Sequence, residues 1–262
     1  MEATVNNITI QYEDRGSGTP IVLIHGFPLN RTMWDRQVAA LATSYRVIAP
    51  DLRGFGGSTV AAGPYEMRCH ADDIAALLDT LGIEKAIIGG LSMGGYVAFE
   101  FWRRYSSRVH ALILAGTRAT ADSEEGKENR EKNADMVEAE GTRPLINAML
   151  PNLLDSSTPK EIIGHLEDIM KKASSTAVAA ALRGMKLRPD SSDILVGINV
   201  PTLVIVGQND MLSPPSEMAS LHEAIAGSSF VTIADAGHVC NFDQPEAFTS
   251  AVQNFLRDRC HV

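Results

Sequence analysis

Short apolar runs recur along the chain: Ile21-Val22-Leu23-Ile24, Arg46-Val47-Ile48-Ala49, Ala86-Ile87-Ile88, Ala111-Leu112-Ile113-Leu114 and Thr202-Leu203-Val204-Ile205-Val206. Runs without polar alternation suit parallel strands covered on both faces. Between the second and third, Ile74, Leu77, Leu78 and Leu81 recur at helical spacing and form one apolar stripe. The alternation reads as βαβαβ, which predicts an α/β chain with a mostly parallel central sheet covered by helices. The stretch Thr4 to Tyr12 alternates, Phe230 to Ile233 is β-branched or aromatic, and both are expected to complete the sheet.

From about Arg118 the pattern changes. A charged run, Asp122 to Glu140, is followed by helical pieces rich in Leu, Ile, Met and Ala, and strand patterning resumes near residue 200. The expected organisation is a core of residues 1–117 and 197–262 with a helical cap, residues 118–196, inserted in it. Most charges of the run are read as the solvated face of a helix.

A chain of 262 residues with 45% apolar content can build a sizeable core. Its formal charge of −9, without clustered Lys and Arg, argues against nucleic acid or an acidic membrane as partner. The first residues lack the basic end and apolar stretch of a signal peptide, and no apolar run is long enough to span a bilayer. Cys69, Cys240 and Cys260 are odd in number and lack metal-ligand spacing, so reduced thiols and a cytoplasmic location are expected.

The chemistry is signalled at Gly90-Leu91-Ser92-Met93-Gly94-Gly95, which follows an apolar strand and opens a helical pattern through Val97, Ala98, Phe101 and Trp102. A serine on a sharp strand-to-helix turn presents its hydroxyl, and the flanking glycines remove side chains that would collide there. The hydroxyl is a weak nucleophile and needs a base oriented by an acid. Asp210 follows the strand ending at Val206, and His238 follows the strand ending at Ile233, so both lie at strand exits, where open α/β sheets gather their functional groups. Asp235 and Asp243 are rivals for the acid, disfavoured because they lie too near His238 in sequence. His70, His110, His165, His222 and His261 sit at no strand exit and are read as structural. The oxyanion of acyl transfer needs two backbone N–H donors. Met93 supplies one and Phe27, in the loop Ile24-His25-Gly26-Phe27-Pro28, supplies the other, with His25 expected to fix that loop.

These stretches, with Asp51-Leu52-Arg53-Gly54-Phe55-Gly56-Gly57-Ser58 and Gly237-His238, resemble the α/β-hydrolase superfamily over nearly the whole chain except the cap. The resemblance implies the α/β-hydrolase fold and a serine hydrolase, with Asp51 to Ser58 as a structural loop. His238 to Phe248 and the Gly-Leu-Ser-Met-Gly-Gly stretch are similar to 3-oxoadipate enol-lactonases, and small carboxylesterases and acyl-homoserine-lactone hydrolases share much of the pattern. The aromatic-Pro pair Phe27-Pro28 resembles that of cofactor-free haloperoxidases. Haloalkane dehalogenases and epoxide hydrolases carry aspartate where Ser92 stands, and proline iminopeptidases usually carry tryptophan where Met93 stands. The implied function is cleavage of a carboxylic ester, with a lactone as alternative substrate and a ligand receptor on the same fold as the non-enzymatic alternative. No metal or organic cofactor is called for.

For the pocket, Met136, Met149, Leu150, Leu153, Leu154, Ile162, Leu166 and Ile169 are the apolar candidates in the cap. An anionic enol-lactone would want a cation there, and Arg143, Lys171, Lys172, Arg183 and Lys186 are available.

Overall fold

The computed structural model describes residues 1–260. The chain opens with β1 (Glu2–Val5) and β2 (Ile8–Arg15), then β3 (Pro20–Ile24), α1 (Asp35–Leu41) and β4 (Arg46–Pro50). It continues through α2 (Met67–Thr80), β5 (Ala86–Leu91), α3 (Met93–Tyr105) and β6 (Val109–Ala115). Five helices follow: α4 (Glu124–Glu140), α5 (Arg143–Met149), α6 (Lys160–Met170), α7 (Ser175–Lys186) and α8 (Ser192–Leu195). The last elements are β7 (Thr202–Gly207), α9 (Pro215–Ala224), β8 (Ser229–Ile233), α10 (Cys240–Asp243) and α11 (Pro245–Phe255).

The strands form one sheet in the order β1-β2-β4-β3-β5-β6-β7-β8. From β4 to β8 every pairing is parallel, while β1 with β2 and β2 with β4 are antiparallel. The apolar runs behave as a doubly covered sheet requires. Alternate residues Ile21, Leu23, Ile87 and Ile113 pack with Trp34 and Val38 of the α1 side and Phe248 of α11. Their neighbours Val22, Ile24, Ile88 and Leu112 face Ile74 and Leu78 of α2 and Phe101 of α3. The expected parallel strands are all present.

The opening stretch joins the sheet as expected, as two strands. Val5 pairs with Ile8 across a two-residue turn in which Asn6 and Asn7 both have positive φ, 47° and 64°. Asparagine tolerates that region better than other chiral residues, and turns with two such residues match the twist of a hairpin. A break in the alternation at two polar residues is all the sequence shows of it.

The charged run is α4, in which only Ala134 and Val137 are buried, and it packs on α7, whose Val178, Ala181, Leu182 and Met185 are buried. Its polar face is solvated, as its composition predicts. Among the described residues no helix is long and apolar enough to cross a membrane.

Candidate active site

Parallel strands place their carboxyl ends on one edge of the sheet, and the candidate residues gather there. Ser92 follows β5 directly, with φ 55° and ψ −115°, a conformation that β-carbon sterics normally penalise. It persists because the turn is locked on both sides. Ser92 N–H donates to Ala115 O at 2.9 Å, and Thr117 Oγ1 donates to Ser92 O at 2.9 Å. A β-carbon at Gly90 would stand 2.1 Å from the Gly94 carbonyl oxygen, and one at Gly94 would stand 2.3 Å from that of Ile24. Only glycine allows these backbones to approach so closely. Ser92 itself is half-buried at the N-terminus of α3.

Asp210 and His238, 2% and 3% exposed, come together as the strand-exit reading requires. His238 Nδ1 lies 2.9 Å from Asp210 Oδ2 and 3.0 Å from Oδ1. Asp210 Oδ1 also accepts the N–H groups of Leu212 and Ser213, each at 2.8 Å, so the carboxylate is held by its own loop. Ser92 and His238 line one cavity of about 250 Å³. Among the described residues no hydrogen bond joins the Ser92 hydroxyl to the imidazole.

The rival carboxylates are elsewhere. Asp235 is exposed. Asp243 accepts from Gly237 N–H at 2.8 Å, from Asp155 N–H at 3.1 Å and from the Thr158 hydroxyl, bracing the loop before His238 instead of meeting its ring. Burial is the main cause of a carboxyl pKa raised from its ordinary value, and these three donors oppose it.

The amide N–H groups of Phe27 and Met93 donate to no other group among the described residues, whereas Gly26 N–H is taken by the Met33 thioether. Phe27 lines the cavity beside Ser92. His25 fixes this loop: Nε2 accepts from Leu52 N–H at 3.0 Å, which leaves the proton on Nδ1 to donate to Gly26 O at 2.9 Å. Full burial pushes its pKa down and favours that neutral tautomer. Asp51 accepts from the N–H groups of Arg31 and Gly57, at 2.8 and 2.9 Å, and ties its own loop to the segment after β3.

One contact has only a faint sequence signal. Gly116, directly after β6 with φ 46°, leaves its side-chain position open where a β-carbon would be 3.1 Å from the His238 carbonyl oxygen, 3.2 Å from Asp210 Oδ2 and 3.3 Å from His238 Nδ1. A glycine ending an apolar strand is common, and nothing local says what approaches it.

Of the apolar pocket candidates, Met149 and Leu153 line the cavity with Tyr96 and Met185. Leu166 and Ile169 are core residues instead, and Ile162 lines a separate cavity near α1. None of the five cation candidates lines this cavity. Arg143, Lys171 and Lys172 are exposed, Arg183 pairs with Glu131, Asp135 and Glu138, and Lys186 pairs with Glu131. Arg118 and Arg130 line the cavity with Asp122. Long flexible cations on helices pair with whatever acids face them, and sequence spacing does not reveal which face turns inward.

The family model for the alpha/beta hydrolase fold matches residues 19–144, and one described as TAP-like protein matches residues 183–259. An AB hydrolase superfamily protein of Bacillus subtilis, YisY, is 32% identical, the match covering 96% of this chain and 97% of that protein. A thermophilic esterase from Thermogutta terrifontis, solved with malate bound, superimposes with a TM-score of 0.97 at 46% identity, over 100% of this chain and 99% of its own. The enol-lactonase from Burkholderia xenovorans LB400 does so with a TM-score of 0.92 at 31% identity, over 98% and 100%. With a mostly parallel eight-stranded sheet, a serine on the turn after β5 and matches along nearly its full length, the chain belongs to the α/β-hydrolase superfamily.

Proposed function

We propose that the protein is a serine-dependent carboxylic ester hydrolase in which Ser92, His238 and Asp210 form the catalytic triad. The observation that carries this reading is the buried His238–Asp210 pair at 2.9 Å on the cavity that also exposes Ser92. The names of the similar proteins, esterase and enol-lactonase, agree with it.

The chemistry follows from the donors and acceptors present. With Asp210 accepting from Nδ1–H, the lone pair of Nε2 is free to take the Ser92 proton as the hydroxyl oxygen attacks the carbonyl carbon. The unpaired N–H groups of Phe27 and Met93 receive the oxyanion. His238 then protonates the leaving alcohol, and in a second step takes a proton from water that releases the acid from Ser92. Residues 118–196 act as a cap over this site and contribute Met149, Leu153 and Met185 to its walls, on a core of residues 1–117 and 197–262. A simple ester is the preferred substrate in this reading, and a lactone is the second, since the same steps open a ring without losing the alcohol. Three free cysteines suit the cytoplasm.

Ser92→Ala is expected to abolish turnover of p-nitrophenyl butyrate and leave the melting temperature unchanged, because a half-exposed hydroxyl fills no core space. Asp210→Asn is expected to lower kcat by something on the order of 10³ to 10⁴, through the wrong imidazole tautomer. Substantial turnover by a contamination-free Ser92→Ala preparation would place the nucleophile elsewhere. A burst of about one equivalent with no steady state would favour a receptor over an enzyme.

A further inference from the structure

The cavity beside Ser92 is apolar on one side and carries an arginine cluster on the other. Asp122, just before α4, is the hub: Arg130 of α4 forks onto it, and Arg188, which follows α7, reaches it at 3.1 Å. Arg118 is engaged separately by Glu217 at 3.2 Å and by the Leu212 carbonyl. Three guanidinium groups thus meet two carboxylates in these contacts. Burial opposes the charge of Asp122, yet the hydrogen bonds and charges of Arg130 and Arg188 hold its carboxyl below the ordinary range, so the hub stays anionic.

Two of the donors are poorly used. Arg130 Nη1 points at the Met185 thioether, 3.4 Å away, and a thioether is a weak acceptor. Arg188, 5% exposed, has a buried Nε with no partner among the described residues, and its guanidinium lies 3.9 Å over the Tyr96 ring. A buried guanidinium lacking a full set of acceptors is an expensive arrangement for a purely structural role. Arg130, Met185 and Tyr96 all line the cavity that holds Ser92.

We propose that Arg130, backed by Arg188, is a carboxylate subsite, so that the preferred substrates are esters or lactones bearing a second, anionic carboxylate, such as half-esters of short dicarboxylic acids. The inference rests on the proposed ester chemistry at Ser92. A substrate carboxylate can accept from Arg130 Nη1, which now meets only a thioether while Nε and Nη2 are taken by Asp122. A phosphate dianion would bring a second negative charge up against Asp122. The cavity of about 250 Å³ suits a short chain.

The test compares kcat/KM for monoethyl succinate, glutarate and adipate with that for ethyl pentanoate. At least one half-ester is expected to be the better substrate, and the half-ester to ethyl pentanoate ratio should fall about tenfold or more in Arg130→Met. Arg130→Lys should restore part of it. Asp122→Asn should raise the ratio, because it removes the carboxylate that competes for the guanidinium, and loss of folding cannot mimic a gain. Half-esters that are all poorer than ethyl pentanoate, with a ratio unmoved by these changes, would overturn the subsite while leaving the ester chemistry standing. Turnover that survives Ser92→Ala would instead sink the proposed mechanism. In that case calorimetry with monoethyl glutarate decides the subsite: binding weakened by Arg130→Met supports it, and no binding overturns it.

Discussion

At the scale of single residues, function rests on positions where a side chain is absent as much as on those where one acts. Gly116 shows this most sharply, since its missing β-carbon leaves room for both members of the His238–Asp210 pair. Alanine tolerates φ near 46° at a cost of roughly 1 kcal/mol, so the fold should survive Gly116→Ala. The added methyl would sit slightly too close to the His238 carbonyl oxygen, at 3.1 Å, and to the carboxylate and imidazole beyond it, so the His238 segment and the pair must give by a few tenths of an ångström. Such a shift in the proposed catalytic pair is expected to cost about tenfold or more in kcat, with a melting temperature lowered by only a few degrees. Gly90→Ala is the contrast, because its β-carbon would run into backbone 2.1 Å away. There a stability loss of several kcal/mol should accompany the loss of activity, read by urea unfolding.

At the scale of elements, the candidate site depends on a strap between α5 and α6 that touches the loops carrying Asp210 and His238. Asp155 Oδ2 accepts from the Asn209 amide at 2.6 Å, next to Asp210, while Leu153 O accepts from Val239 N–H at 2.8 Å, next to His238. Asp243 closes the circuit from the His238 side by accepting from Asp155 N–H and the Thr158 hydroxyl. Asp155→Ala therefore loosens the acid loop without touching substrate. The expected outcome is a lower kcat with KM little changed, partly rescued in Asp155→Asn, which keeps an acceptor for Asn209. A change confined to KM would argue against the strap. None of these partners was legible in the sequence, because they lie 54 to 88 residues apart on loops with no period to align them. The strands were legible for the opposite reason: burial on both faces leaves an uninterrupted apolar run, and the turn after β5 needs glycines at fixed offsets. Ser92, Asp210 and His238 could be picked out because each follows such a strand. The cap cations could not, since Arg118 and Arg130 differ from Arg183 only in which way their elements face.

At the scale of the whole molecule, two histidines make the fold sensitive to acid independently of catalysis. His70 of α2 is fully buried, neither ring nitrogen has a hydrogen-bond partner among the described residues, and the Tyr65 ring packs edge-on with centroids 6.1 Å apart. Burial, with Arg53 and His25 nearby, pushes its pKa down to about 3 from an ordinary 6.5. The folded state therefore resists a proton that the unfolded chain accepts. Its contribution to stability is fully present above pH 6.5 and is lost progressively as pH falls toward 3, by up to about 1.4 kcal/mol per pH unit. His25 is shifted in the same direction, also chiefly by burial, and adds to the slope. Carboxylates held low by ion pairs, such as Asp122, titrate below their ordinary value of 3.8 and add little above pH 5. Asp35, Glu100 and Asp243, whose carboxyl pKa values burial raises, act in the opposite sense as pH falls, so the histidine contribution is read as the difference in slope between the protein and its His70 variant. His70→Leu keeps an apolar body of similar size and removes the proton acceptor, so its unfolding free energy should fall less steeply than that of the unaltered protein. Urea unfolding at pH 7, 6 and 5 measures both slopes, and parallel lines for the two proteins would show that His70 is not a source of acid lability.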